Sequence, residues 1–418
     1  MILLGCIADD LTGASDLAAN LAREGLSVIQ VNGIPESDLQ LPTADAVVVA
    51  LKSRTIPASD AVAKSLAALS WLRARGAKRI YFKYCSTFDS TPQGNIGPVT
   101  EALQQKLGCH VVPATPAYPR NGRTVYRGHL FVGDQLLNET GMRHHPLTPM
   151  SDANLVRLLA AQTKSPVGLV RSEIVDAGFE AIRQRVKELG DSGIRHAIVD
   201  IVRDEHLTAA GAAFADFALT TGGAGLGIGL ARALRQGHSR SPGGWTRPKK
   251  GVPVAWLSGS CSEATRRQLS HAQKTLPGIR IDPFALAADA KTIDRVVSEA
   301  CSQIKNGLAL VYATAEPDQV AAAQHSLGSE QAARLVEDAF RTVARALAEA
   351  GAQAFVVAGG ETSGAVVDAL DVRALAIGPE IDPGVPWTSA VSGRSFWLAL
   401  KSGNFGGDDF FPRANAVL

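Results

Sequence analysis

Along the first half of the chain, short apolar runs alternate with helical spacings of apolar residues. The apolar runs predict strands over Ile2–Ile7, Ala46–Leu51, Arg79–Lys83, His110–Pro113, Val167–Val170 and His196–Asp200. Helical spacing predicts helices over Thr12–Arg23, Asp60–Arg75, Pro98–Leu107, Asp152–Gln162 and Val175–Leu189. Strands joined by crossover helices are the mark of an α/β fold. Between Pro113 and Met150 the pattern breaks into a long stretch crowded with Pro, Gly, Arg and His. Irregular segments of that length in a compact domain are usually functional.

A second break, RQGHSRSPGGWTRPKKG (Arg235–Gly251), is basic, rich in Gly, Pro and Ser, and without hydrophobic period, as a linker would be. The α/β rhythm then restarts with Val252–Leu257, a helix from Ser262, Leu308–Ala313, a long helix over Glu330–Ala350 and a strand at Phe355. It closes with one or two strands between Trp387 and Leu400. The expected architecture is two α/β domains with mainly parallel sheets, over residues 1–235 and 252–418, joined by 236–251. Ligands are expected at the C-terminal ends of the strands, in a cleft between the domains.

Composition narrows the class. A chain of 418 residues exceeds what one core usually organises, which agrees with two domains. With 46% hydrophobic and 20% charged residues it reads as a soluble globular protein, and no apolar run approaches the ~18 residues that span a bilayer. The opening MILLGCIADDL lacks a basic region and soon meets two aspartates, so it reads as a buried strand, and the expected location is the cytoplasm. The five cysteines are scattered without CxxC spacing, as expected mostly of small buried apolar residues. A net charge of +2 argues against a surface built to coat nucleic acid. Oligomeric state, a homo-oligomer included, is left open.

The polar positions that could carry chemistry gather at predicted strand ends. Asp9 and Asp10, in IADDLTGASD, close the first strand just before a helix. A carboxylate there can accept a proton or orient a hydroxyl, and it can equally cap the helix, although two adjacent acids exceed what capping needs. Arg54, after the second run, offers the fork geometry that suits a substrate carboxylate. The segment KYCSTFDST sets Lys83 beside Ser86, Thr87 and Asp89, a set suited to a polyhydroxylated anion. Arg120, Arg123 and Arg127 add positive charge in the irregular stretch, and His144 and His145 could titrate near neutrality. Each of these segments has a plainer reading as a solvated loop.

In the second half, SGSCS (258–262), AGGETSG (358–364) and SGNFGG (402–407) each follow a strand. Glycine lets backbone amides approach phosphate oxygens, and a following helix adds its dipole. No GxxxxGK[ST] occurs, which excludes a Walker-type loop. The glycine-rich TTGGAGLGIGLARAL (220–234) is out of GxGxxG register and follows a helical pattern over Ala212–Leu219. It is expected to be a close-packing or substrate-facing loop, and a dehydrogenase reading loses its main support.

Taken in order, ADDLTGA, KYCSTFDST, PAYPRNGRTVYRGHLFVGD, HPLTPM, SGSCS, GGETSG and KSGNFGG resemble the four-carbon acid sugar kinases over nearly the whole chain. That resemblance implies an N-terminal acid-binding domain and a C-terminal nucleotide-binding domain, with phosphate passing from magnesium ATP to the C4 hydroxyl. The passages GHLFVGDQLLNETGMRHHPLTPM and SFWLALKSGNFGGDDFF favour the branch whose acid carries an oxo group at C3, with threonate or erythronate as the alternative. It assigns the nucleotide to Ser258, Gly360, Glu361, Thr362, Ser363 and Gly403. Position and residue type then suggest Asp9 or Asp10 as base, and Arg54 and Lys83, with Ser86, Thr87, Asp89 and Arg120, as holding the acid. The sequence does not locate magnesium ligands. Competing readings are an NAD-dependent dehydrogenase and a non-catalytic sugar-acid sensor.

Overall fold

A computed structural model describes residues 2–145, 147–238, 243–391 and 393–418. Residues 239–242 of the expected linker, Pro146 of the HPLTPM stretch and Met1 of the opening run lie outside the described residues. The chain forms two compact units, Met1–Gly243 and Gly244–Leu418.

Strands of the first unit are β1 (Leu4–Ala8), β2 (Val28–Asn32), β3 (Ala46–Ala50), β4 (Ile80–Lys83), β5 (Val112–Thr115), β6 (Arg123–Tyr126), β7 (His129–Val132), β8 (Gln135–Leu136), β9 (Val167–Val170), β10 (His196–Val199) and β11 (Leu219–Gly222). Its main sheet has the order β2-β3-β1-β4-β11-β5-β10-β9, and the pairings within it are parallel among the described residues. Strands β1, β3 and β4 are buried along their whole length, which is why they read as unbroken apolar runs and not as alternation. Their C-terminal ends are flush, since Ala8 pairs with both Ala50 and Lys83.

Several expectations need correction. Strand β2 carries Gln30 and Asn32 within its run. Gln30 is nevertheless buried, and Ser15 Oγ donates to its Oε1 at 2.9 Å. The expected helix over Val175–Leu189 is broken at Gly178 (φ 95°) into Ser172–Asp176 and Phe179–Asp191. Residues 123–136 of the irregular stretch form a small antiparallel sheet, β6-β7-β8. The turn between β6 and β7 puts Arg127 and Gly128 at positive φ, and the Asp200 carboxylate accepts from both amides at 2.8 and 2.9 Å. Strand β10 accordingly ends at Val199, one residue short of expectation.

The TTGGAGLGIGL segment is not a loop: it is strand β11 followed by the helix Ala224–Arg235. Its glycines serve packing. A Cβ on Gly229 would lie 1.8 Å from the Leu207 carbonyl oxygen, and one on Gly227 would lie 2.4 Å from Leu17. Gly222, Gly223 and Gly225 are pressed likewise against the backbone of Thr115–Ala117. Among the cysteines only Cys6 is buried; Cys85, Cys109, Cys261 and Cys301 are half-buried, and all five are free thiols.

The second unit contains β12 (Val254–Ser258), β13 (Ile279–Arg280), β14 (Leu308–Tyr312), β15 (Ala354–Ala358), β16 (Ala374–Asp382), β17 (Val385–Ala390) and β18 (Trp397–Lys401). Their order is β13-β14-β12-β15-β18-β17-β16, parallel through β18 and antiparallel thereafter. Strand β16, absent from the sequence reading, hides behind a polar second half and register shifts after Ile377. Trp256, Trp387, Phe410 and Phe411 belong to the core of this unit.

Candidate functional site

In the first unit the chain leaves β1 toward β2 and β3 on one side and later enters β4 on the other. The C-terminal ends of β1 and β4 therefore flank a topological switch point, where open α/β sheets bind ligands. Asp9 and Asp10 follow β1, and Lys83 ends β4. The segment after β3 is stitched to β1 through the Asp9 carbonyl, which accepts from the amides of Ser53 (2.9 Å) and Arg54 (3.2 Å). Asn95 fastens it from behind, donating from Nδ2 to the carbonyls of Ser53 (2.6 Å) and Arg54 (3.1 Å).

Arg54 is thereby aimed at both aspartates. Its Nε and Nη2 donate to the two oxygens of Asp9, each at 2.8 Å, and Nη2 also donates to Asp10 Oδ1 at 2.7 Å. Lys83 Nζ stands 3.7 Å from the same Asp10 oxygen. Asp10 also caps the helix Leu11–Arg23, accepting from the Gly13 amide at 3.1 Å and from Thr12 Oγ1 at 2.9 Å. The capping reading of Asp10 thus holds, and the same carboxylate also faces the two cations. Gly13 leaves room for these groups: a Cβ there would fall 2.0 Å from Lys83 Nζ and 2.2 Å from Asp10 Oδ1, and would displace them.

The two acids differ in exposure and in the direction in which their surroundings shift them. Asp9 is buried at 4%, whereas Asp10 keeps 26% of its side chain open. Burial raises Asp9 above the ordinary carboxylate range, against the pull of Arg54. Burial also opposes ionisation of Asp10, but the charges of Arg54 and Lys83, with the Thr12 and Gly13 hydrogen bonds, outweigh it and hold that carboxyl well below the usual range.

The other residues that the sequence suggests for the acid are less tightly gathered. Thr87 donates to Asp89, and Cys85 Sγ lies 3.0 Å from Thr87 Oγ1, so the KYCSTFDST hydroxyls are organised among themselves. Phe88, at the centre of that turn, is buried at a positive φ of 53°. Ser86 is only half-buried. Arg120 is paired with Asp204. A hollow of about 890 Å³ lined by Val111, Phe179, Arg183, Lys187 and Leu219 lies at the opposite, N-terminal ends of β5 and β11, away from these residues.

The second unit repeats the switch-point arrangement. From β12 the chain goes to β13 and β14 on one side and to β15 on the other. Ser258, Ala358 and Lys401 are in direct register across β12, β15 and β18, so the three glycine loops leave the sheet side by side. They are packed together: a Cβ on Gly259 would lie 2.0 Å from Thr362 Oγ1, and one on Gly403 would lie 2.5 Å from Ser260 Oγ. Gly359 takes φ 124° as the N-cap of the helix Gly360–Ala369, which leaves the first-turn amides without intrahelical partners.

The side chains of these loops divide by role. Ser258 is fully buried, its hydroxyl 2.7 Å from Thr314 Oγ1, so it shapes the loop from inside. Thr362 and Ser363 are buried, and Ser363 Oγ has no hydrogen-bond partner among the described residues. Glu361 is exposed and, with Gly259 and Thr362, borders a cavity of about 500 Å³ walled by Ile281, Phe284 and Val336. An apolar cavity with phosphate-suited amides at one edge has the chemistry of a nucleoside pocket. Among the described residues no cluster of three or more His, Cys, Asp or Glu side chains could hold a metal ion. Magnesium in phosphoryl transfer needs only one or two protein carboxylates beside the phosphates, and Glu361 fits that requirement.

Sequence reasoning missed Thr265, Thr314, Gln268 and Lys401 here. Lys401 was visible at the head of KSGNFGG, but inside an apolar strand nothing marked its ammonium as buried beneath the loops.

Comparison with known proteins agrees with this two-site layout. Residues 4–230 match the model of a sugar-binding N-terminal domain, and residues 255–411 match that of a nucleotide-binding C-terminal domain. The chain is 54% identical over 415 residues to a 3-oxo-tetronate kinase of Pseudomonas fluorescens, covering 99% of this chain and 96% of that protein. It is 50% identical over 418 residues to one of Burkholderia multivorans, covering 100% and 97%. A crystal structure from Salmonella typhimurium LT2 superposes with a TM-score of 0.90 at 42% identity, covering 98% of each chain. One from Haemophilus influenzae gives 0.83 at 44% identity, covering 99% of each.

Proposed function

Because the chain belongs to the four-carbon acid sugar kinase family, we propose that it transfers the γ-phosphoryl group of ATP to the C4 hydroxyl of a four-carbon sugar acid, 3-oxo-tetronate before threonate or erythronate. The observation that carries this reading is the set of three packed glycine loops at the ends of β12, β15 and β18 beside a 500 Å³ apolar cavity. A sensor of sugar acids has no need of such a second site. A dehydrogenase would need the glycines after β11 free for a pyrophosphate, and those are consumed by packing against Thr115–Ala117.

The acid is held at the ends of β1, β3 and β4. Asp10, the more exposed of the two carboxylates, accepts the hydrogen bond of the C4 hydroxyl and orients its oxygen for in-line attack. A carboxylate kept ionised at neutral pH suits this role, since proton transfer in a loose phosphoryl transition state comes late and orientation matters most. Asp9 fixes Arg54, and Arg54 with Lys83 supplies the positive field toward the acid's carboxylate. In the second unit the nucleoside occupies the cavity, and the amides of Gly360–Thr362 and the Gly403 loop meet the phosphates. Glu361 is the protein carboxylate that would help hold magnesium with the nucleotide, and the ion would supply neutralisation of phosphate charge. Such a reaction belongs in the cytoplasm, where ATP is supplied.

The test is a coupled ADP-release assay on the purified protein with 3-oxo-tetronates, threonate and erythronate. Turnover should be greatest with the 3-oxo acid and should require magnesium. ATP binding without turnover on any four-carbon acid would overturn the proposal.

A further inference from the structure

Lys401 is fully buried, yet its ammonium is not in direct contact with any carboxylate among the described residues. Its three N–H donors are all used on neutral oxygens: Thr265 Oγ1 at 3.1 Å, the Ser402 carbonyl at 3.0 Å and the Gly403 carbonyl at 2.9 Å. The Gly403 carbonyl accepts twice more, from Ser262 Oγ at 2.7 Å and Thr265 Oγ1 at 2.8 Å. Further along, Gln268 Nε2 donates to the carbonyls of Phe405 and Gly406 at 2.9 and 2.8 Å. The carbonyl side of the 402–406 loop is therefore tied down into the unit. Among the described residues the amides of Gly403 and Asn404, by contrast, make no backbone hydrogen bond.

We propose that Lys401 is a positioning residue for phosphate binding: from beneath, it turns the carbonyls of the Gly403 loop inward so that the loop amides face the nucleotide, and it places a buried positive charge behind them. The proposal rests on assigning the nucleotide to this unit. It does not make Lys401 a group that touches phosphate, because its donors are already spent on the loop.

Such a charge should couple nucleotide binding to a proton. Burial lowers Lys401 to about 7, opposed by Asp382. Asp382, on β16, is itself bonded to Arg413 Nη1 at 2.7 Å and to the Gly407 amide at 3.2 Å. The other charged groups on the packed elements are Glu380 on β16, Glu263, Arg266, Arg267 and His271 on the helix Glu263–Ala272, Asp409 and Arg413 at the helix Phe410–Val417, Asp408 in the loop, and Glu361 and Asp368 on the helix Gly360–Ala369. Arg267 is engaged by Asp408 and Glu263, Arg266 by Glu316, and Asp409 by Arg413. An arriving phosphate is the anion that would favour the protonated amine, so the protein should take up a proton as nucleotide binds near neutral pH.

The experiment is calorimetric titration of ATP into the full chain between pH 6 and 8 (about one unit to either side of the transition), in buffers of different ionisation enthalpy. Wild type should bind more weakly above neutrality and show proton uptake. Lys401→Met should bind about tenfold or more weakly, the loss of one charged hydrogen-bonding group, with the extra proton uptake gone. If that variant does not fold, Thr265→Val, which removes one acceptor, should weaken binding severalfold and alter the pH dependence. Wild type that binds ATP with no proton uptake beyond that of Lys401→Met, or of Thr265→Val if only that folds, overturns the role of Lys401 alone. Wild type that fails to bind ATP overturns the nucleotide assignment instead.

Discussion

One guanidinium serves two adjacent carboxylates at the end of β1, and this makes Arg54 hard to replace. With Arg54→Ala the Michaelis constant for the acid should rise ten- to hundredfold while that for ATP stays near its original value, since a charged hydrogen bond is worth about 1.5–3 kcal/mol. Steady-state kinetics with each substrate varied in turn would show this, and equal losses for both substrates would contradict the assignment. Asp10→Asn keeps the size of the side chain but loses the carboxylate that orients the hydroxyl, so kcat should drop about 10²–10⁴-fold with ATP binding intact. Should Asp10→Asn retain turnover and Asp9→Asn lose it, the acceptor is Asp9. Asp10 also leaves a mark on stability. Its folded-state ionisation lies below the unfolded value of about 3.9. The stabilisation is therefore complete above that value and is lost as pH falls toward the lower folded one. Thermal melts should show a shallower decline from pH ~5 downward for Asp10→Asn than for wild type.

At the scale of elements, what could be read from the sequence was set by how uniform each environment is. Strands β1, β3 and β4 are apolar on both faces and declared themselves, as did the helices beside them and the glycine loops after β12 and β18, whereas after β15 the GETSG residues are already helix behind the single turn residue Gly359. Strand β2 did not, because a buried Gln30 satisfied by Ser15 looks polar in sequence and apolar in effect. The residues 220–234 misled for a related reason: glycine marks close approach of backbones, and a sequence cannot say whether the visitor is a phosphate or a neighbouring helix. Lys401 lay out of reach because its partners are carbonyls, which every sequence contains. The packing role of the glycines can be checked. Gly229→Ala places a methyl 1.8 Å from the Leu207 carbonyl and should cost about 1–3 kcal/mol, seen as a lower Tm with kcat near wild type at low temperature. Gly403→Ala, pressing on Ser260 Oγ at 2.5 Å, should instead weaken ATP binding with little change in Tm.

For the whole molecule, each unit carries its own switch point, and this permits one ligand site to be broken while the other is kept. The most direct way is through the GGETSG loop. The left-handed backbone there belongs to Gly359, at φ 124°, and Gly360 is the first residue of the helix, so the sharper substitution is Gly359→Val. A β-branched residue is strained at that φ, and even its Cβ would stand 3.1 Å from the Ser260 amide, so the loop after β12 must also give by a few tenths of an ångström. ATP affinity should fall sharply, and Gly360→Val, which sets a bulky side chain at the first-turn amides, should act in the same direction. Binding of the sugar acid, measured by calorimetry without nucleotide, should change little in either variant, because Asp9, Asp10, Arg54 and Lys83 all lie in the first unit. A folded Gly359→Val protein that binds ATP normally and loses the acid would show that the two ligands had been assigned to the wrong units.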